Sequence, residues 1–120
     1  MPGRRQPARP TTRRRTTAVP APTRRRRAIS EAEFQQQVTD LADLYAWLWY
    51  HNPDSRRSNA GFPDLVLVKA GRVIFAELKS AAGKVRPEQR TWLAALATTK
   101  AEVYIWRPDD LDAITTLLRG

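Results

Sequence analysis

The chain has 120 residues, 21 Lys and Arg against 12 Asp and Glu, and one histidine, a length that suggests one domain with room for a tail. It has no cysteine, which excludes disulfides and a cysteine-based zinc site. With His51 the sole imidazole, a His-rich metal site is also excluded, whereas a hard-cation site built from carboxylates remains available. No apolar stretch approaches the eighteen residues or so expected of a membrane span.

The net charge of +9 is unevenly distributed. Residues 1–28 contain ten arginines, no lysine and no acid, which leaves 11 bases against 12 acids in residues 29–120, a net of −1. Five of the nine prolines also fall in residues 1–28. Such a composition cannot bury enough apolar surface to offset chain entropy, so it predicts a disordered, arginine-rich tail. Arg13-Arg14-Arg15 and Arg24-Arg25-Arg26-Arg27 are blocks suited to contacting phosphates without reading sequence. A solubilising tail has the same composition. A transit peptide is also Arg-rich, but the prolines spoil the amphipathic helix it needs. Long-range attraction to polyanions is expected to come mainly from this tail.

The folded domain is predicted over residues 29–120. Ser30-Glu31-Ala32-Glu33 fits a capping box. Phe34, Val38, Leu41, Ala42 and Tyr45 follow at helical spacing, giving a helix that ends near Tyr45. Trp47 to His51 is short and aromatic, which favours a strand. Asn52 to Ala60 is a polar loop in which Ser55, Arg56, Arg57 and Ser58 suit a DNA-facing role.

Leu65 to Val68 and Val73 to Ala76 read as two strands joined at Ala70-Gly71. With a two- or four-residue turn centred there, Asp64 falls directly opposite Glu77. Like charges at such a pair destabilise a sheet, and a divalent cation removes the conflict. Lys79 projects from the same face as Glu77. Taken singly, Asp64 is a turn residue after Pro63, and Glu77 and Lys79 are strand-end charges. Together they suit metal-assisted phosphodiester hydrolysis.

Pro87 suits the first turn of a second helix, with Trp92, Leu93, Leu96 and Ala97 as its buried face. Gln89 shares that face and needs hydrogen-bond partners there. The expected partner is Lys79 or a substrate phosphate. Glu102 to Arg107 reads as a fourth strand. Pro108 and Asp109 open a last helix with Leu111, Ile114, Leu117 and Leu118 inward. The order α-β-β-β-α-β-α predicts an α/β fold, a mixed β-sheet flanked by helices.

Pro63-Asp64 followed by Glu77-Leu78-Lys79 resembles the PD-(D/E)XK nuclease signature. With Glu33 and Gln37 on a preceding helix, His51, Gly61 before Phe62-Pro63-Asp64, and Gln89 and Trp92 afterwards, the order is similar to the VRR-NUC branch. The likeness is to its small stand-alone phage and bacterial form and spans roughly residues 30–118. It implies a restriction-endonuclease-like core and a cytoplasmic Mg²⁺- or Mn²⁺-dependent endonuclease acting on DNA. Asp64, Glu77, the Leu78 backbone carbonyl and Glu33 are the implied metal ligands, although the capping box explains Glu33 without chemistry. Lys79 would orient the attacking water, and Gln89 would support the phosphate. Gln37, His51, Ser55, Arg56, Arg57, Lys84, Arg86 and the Arg24 to Arg27 block are the candidate DNA contacts. Stand-alone members suggest a homodimer that resolves Holliday junctions or other branched DNA; Trp47, Trp49 and Trp106 are candidates for its interface, with core packing as their commoner use. The alternatives are a non-catalytic DNA-binding module, which the tail favours, and a nuclease subunit that needs a helicase or another partner.

Overall fold

A computed structural model describes residues 28–53 and 60–120. The order is α1 (Glu31–Leu44), β1 (Leu48–His51), β2 (Leu65–Lys69), β3 (Arg72–Leu78), α2 (Pro87–Ala97), β4 (Glu102–Trp106), a 3₁₀ turn (Pro108–Asp110) and α3 (Leu111–Arg119). This is the expected α/β arrangement. Among the described residues no helix is long and apolar enough to cross a membrane.

The sheet runs β1-β2-β3-β4. β1 and β3 flank β2 antiparallel, and β4 lies parallel to β3. The β2–β3 hairpin closes through a two-residue turn, since Lys69 pairs with Arg72. Ala70 and Gly71 both have positive φ, 50° and 80°. That is the type I′ geometry whose twist matches the flanking strands. Leu65 pairs with Ala76, so the next position outward sets Asp64 against Glu77, as the sequence predicts.

Strand alternation divides the sheet into two faces. Leu65, Leu67, Ile74, Ala76, Leu78 and Trp106 are buried with Phe34, Val38 and Ala42 of α1 and Ile114 and Leu118 of α3. The opposite face carries Val66, Val73, Phe75 and Glu77. α2 lies against it through Trp92, whose ring meets Phe62 edge-on at 5.1 Å; Phe62 in turn meets Phe75 at 6.0 Å.

Ser30 caps α1 in a complete capping box: Ser30 Oγ accepts from Glu33 N, and Glu33 Oε1 accepts from Ser30 N. Two details differ from the sequence reading. Ala97 is exposed rather than inward, because the buried stripe of α2 is confined to Gln89 and Leu93 with Trp92 and Leu96 half-buried. The last helix begins at Leu111, after the 3₁₀ turn that Pro108 opens. Trp47 and Trp106 are core residues, the commoner use expected of them, and Trp47 Nε1 donates to the Leu118 carbonyl at 2.9 Å.

Ile74 is fully buried in the central strand β3. Ile74→Ala is expected to destabilise the domain by about 2–5 kcal/mol. The urea midpoint should fall with the slope unchanged. A midpoint equal to wild type would show that this position does not lie in the core.

Candidate active site

The candidate site gathers around the end of β3. Glu77 is only 2% exposed and lies on the α2 face of the sheet. Gln89, in the first turn of α2, donates from Nε2 to Glu77 Oε2 at 2.7 Å, a buried bond. Lys79, also buried, places Nζ 3.4 Å from the same oxygen. Asp64 Oδ2 accepts from the backbone N–H of Leu78 at 2.8 Å. The Asp64 carbonyl accepts from Asn52 N, also at 2.8 Å. The hairpin end, the start of β2 and α2 thus meet on one carboxylate.

Glu77 Oε1 is buried and has no hydrogen-bond partner. An unsatisfied buried acceptor costs roughly 1–3 kcal/mol, a cost that a ligand at Oε1 would remove. Burial, and then the facing charge of Asp64, push the Glu77 carboxyl up from 4.5 to about 8, against the opposing pull of Lys79. Two carboxylates and the intervening Leu78 carbonyl are the oxygen donors that hard divalent cations take. A cation there would relieve the Asp64–Glu77 repulsion and give Oε1 a partner, so the residues present fit such an ion. Among the described residues no group of three or more His, Asp or Glu side chains forms a metal cage. Glu33 therefore does not join Asp64 and Glu77; its carboxylate caps α1 instead.

The remaining candidates are dispersed. His51 pairs with Leu65 at the end of β1, so the pleat directs it to the face opposite Glu77. Gln37 lies exposed on α1 and lines a cleft of about 570 Å³ with Ile29, Ser80, Ala82, Asp109 and Leu111. Lys84 and Arg86 are exposed on the loop that follows Lys79. Arg24, Arg25, Arg26, Arg27, Ser55, Arg56, Arg57 and Ser58 lie outside the described residues. Gln89 donates to Glu77 rather than to Lys79, one of the two partners expected from sequence.

Gly61 has a role that its sequence neighbours do not reveal. Its φ is +89°, and a Cβ there would lie 2.4 Å from the Glu88 carbonyl oxygen and 2.8 Å from Gln89 N. Only glycine lets the segment before Asp64 touch the turn of α2 that presents Gln89. A glycine ahead of Phe62-Pro63-Asp64 signals a special backbone, but not which helix it touches.

A mixed sheet flanked by helices, with an acidic pair and a lysine at the end of a hairpin, defines a nuclease-type domain of the PD-(D/E)XK kind. The VRR-NUC domain family model matches residues 10–109, and the chain belongs to that family. A solved structure described as a VRR_NUC domain protein shares the fold, with a TM-score of 0.59 at 20% identity, covering 78% of this chain and 88% of that one. No curated protein matches the sequence significantly.

The raised Glu77 carboxyl makes metal-free stability depend on pH. Between 4.5 and about 8 the folded state retains a proton that the unfolded state has released. Stability therefore falls as pH rises through that window and levels off above it. Glu77→Gln, which mimics the protonated form, should flatten the fall. Thermal melts of both proteins in EDTA from pH 4.5 to 9 test this. Parallel curves would show that Glu77 does not titrate as its burial requires.

Proposed function

We propose that the chain is a metal-dependent DNA endonuclease hydrolysing phosphodiester bonds, with a preference for branched DNA such as Holliday junctions. The observation that carries the reading is the buried Glu77 carboxylate. It faces Asp64, is held on Oε2 by Gln89 and Lys79, and has Oε1 free of protein partners.

Asp64, Glu77 and the Leu78 carbonyl would hold Mg²⁺ or Mn²⁺. Such an ion, when bound, polarises a phosphoryl oxygen and acidifies water. Lys79 offsets charge building on the phosphate and orients the attacking water. Water attacks phosphorus in line with the departing oxygen, so one P–O bond forms as another breaks. Gln89 fixes the rotamer of Glu77 and supports the phosphate only through that carboxylate. The preference for branched DNA rests on the small size of the domain and on the described residues forming no obvious sequence-reading module. Two symmetric cuts would need two sites, which a C2 homodimer supplies.

Labelled four-way junction, linear duplex and single-stranded DNA, each with Mg²⁺, Mn²⁺ or EDTA, test the reading. Metal-dependent, symmetric cutting of the junction is expected. Asp64→Ala and Lys79→Ala should each lose at least about a hundredfold in rate. Equal cutting of all three substrates would discard the junction preference. Full activity of either variant would discard the site. Salt-sensitive binding without cleavage would favour a DNA-binding module or a subunit that needs a helicase or another partner.

The arginine block Arg24 to Arg27 is proposed to contact DNA phosphates. Replacing all four by Gln should lower the salt slope of duplex binding by about 3–4, from roughly 0.9 per phosphate contact. An unchanged slope would assign the block to solubility alone.

A further inference from the structure

The loop between Lys79 and Gln89 connects the two side chains that hold Glu77. Lys79 approaches Glu77 Oε2 from one end of it, and Gln89 donates to the same oxygen from the other. The intervening residues 80–86 form neither helix nor strand. The far end is closed by Arg86 N donating to Gln89 Oε1 at 2.8 Å. The near end is held from β4. Lys79 N donates to the Trp106 carbonyl at 2.9 Å. One residue further on, Arg107 Nη1 donates to the carbonyls of Ser80 at 2.8 Å and Gly83 at 2.7 Å.

Arg107 is itself fixed in place. Its backbone N–H donates to Asp110 Oδ2 at 2.8 Å, and its carbonyl accepts from Asp110 N at 2.8 Å. Among the described residues no carboxylate forms an ion pair with its guanidinium. The half-buried charge is spent on two backbone carbonyls, and hydrogen bonds from an ionised donor are about twice as strong as neutral ones.

We propose that Arg107 is a positioning residue for the active site. By clamping Ser80 and Gly83, it sets where Lys79, and through the loop Gln89, meet Glu77. The role rests on the nuclease reading of that site. A misplacement of about 1 Å can cost on the order of a hundredfold in rate, so a clamp one step from Lys79 has a catalytic effect without touching substrate.

Arg107→Met keeps most of the stem and removes the donors. Arg107→Lys keeps a charge with enough protons for two carbonyls, though without the planar fork. In the full-length protein, Arg107→Met is expected to slow single-turnover cleavage in Mg²⁺ by about 10- to 100-fold. Its affinity for the same labelled junction in EDTA should stay as in wild type, and Arg107→Lys should recover part of the rate. Adding Arg107→Met to Lys79→Ala should cost little more, since residues acting as one unit are not additive.

Amide hydrogen exchange of the metal-free protein supplies a readout independent of cleavage. In Arg107→Met, exchange should quicken at Lys79, Gly83 and Arg86 while α1 and α3 stay protected. Unchanged exchange at those three amides, or loosening spread over α1 and α3, would overturn the proposal. So would lost DNA affinity with an unchanged rate, which would make Arg107 a DNA contact. If wild type cleaves none of the three DNA substrates, the nuclease reading fails; the exchange data then still decide whether Arg107 holds the loop.

Discussion

The buried carboxylate of Glu77 is the constraint on which the rest of the site depends. Taking a carboxylate out of water is costly unless donors replace the water, and Asp64 opposite adds repulsion. The fold meets this with one amide and one ammonium on Oε2. Each of these partners is secured in turn. Gln89 is held by the Arg86 amide and by the close approach of Gly61 to its helix turn. Asp64 is held by the Leu78 amide. Among the described residues Glu77 Oε1 is a buried oxygen left without a partner, so the geometry spends its donors on orienting the carboxylate and leaves one oxygen open.

This arrangement requires the two sheet faces to do different work. One face packs Leu65, Leu67, Ile74, Ala76 and Leu78 against α1 and α3. Dispersion and burial there give the sheet its rigidity. The other face, at the carboxyl end of the parallel pair β3 and β4, carries Glu77 under α2. In open α/β sheets, ligands commonly bind beyond the carboxyl ends of the strands. Because Glu77 is flanked in sequence by core residues Ala76 and Leu78, its backbone is fixed by packing on the far side. A site mounted on such a strand holds its geometry better than one carried on loops.

The hairpin was the most legible part of the sequence. Ala70-Gly71 permits the two positive φ values, and a two-residue turn leaves one register, so the opposition of Asp64 and Glu77 follows from counting. The Ser30–Glu33 capping box was legible for the same reason, since both partners are local. What stayed hidden depends on contacts between distant segments. Gln89 reads as inward-facing, but its partner is chosen by how α2 lies on the sheet. Gly61 and Glu88 are far apart in the chain, and Arg107 is one more strand-end arginine until the loop it clamps is seen. Ala97 was misplaced because apolar spacing defines a stripe, but not how far along the helix its neighbours extend.

Electrostatics connects the site to its substrate class. Residues 29–120 carry a net charge of −1, and the acidic pair Asp64 and Glu77 repels a polyanion. Lys79 is buried beside Glu77, so its charge is spent locally and contributes little to the field at a distance. Exposed Lys84 and Arg86 border the site but are few. On the nuclease reading proposed above, attraction of DNA from solution would draw on charge outside this sheet end. Ten arginines in residues 1–28 are the one large reserve in the chain. Such attraction weakens as salt rises, whereas the bonds around Glu77 are shielded by burial. On the proposed reading, capture of DNA and the chemistry on it would depend on different parts of the chain, and ionic strength should separate them.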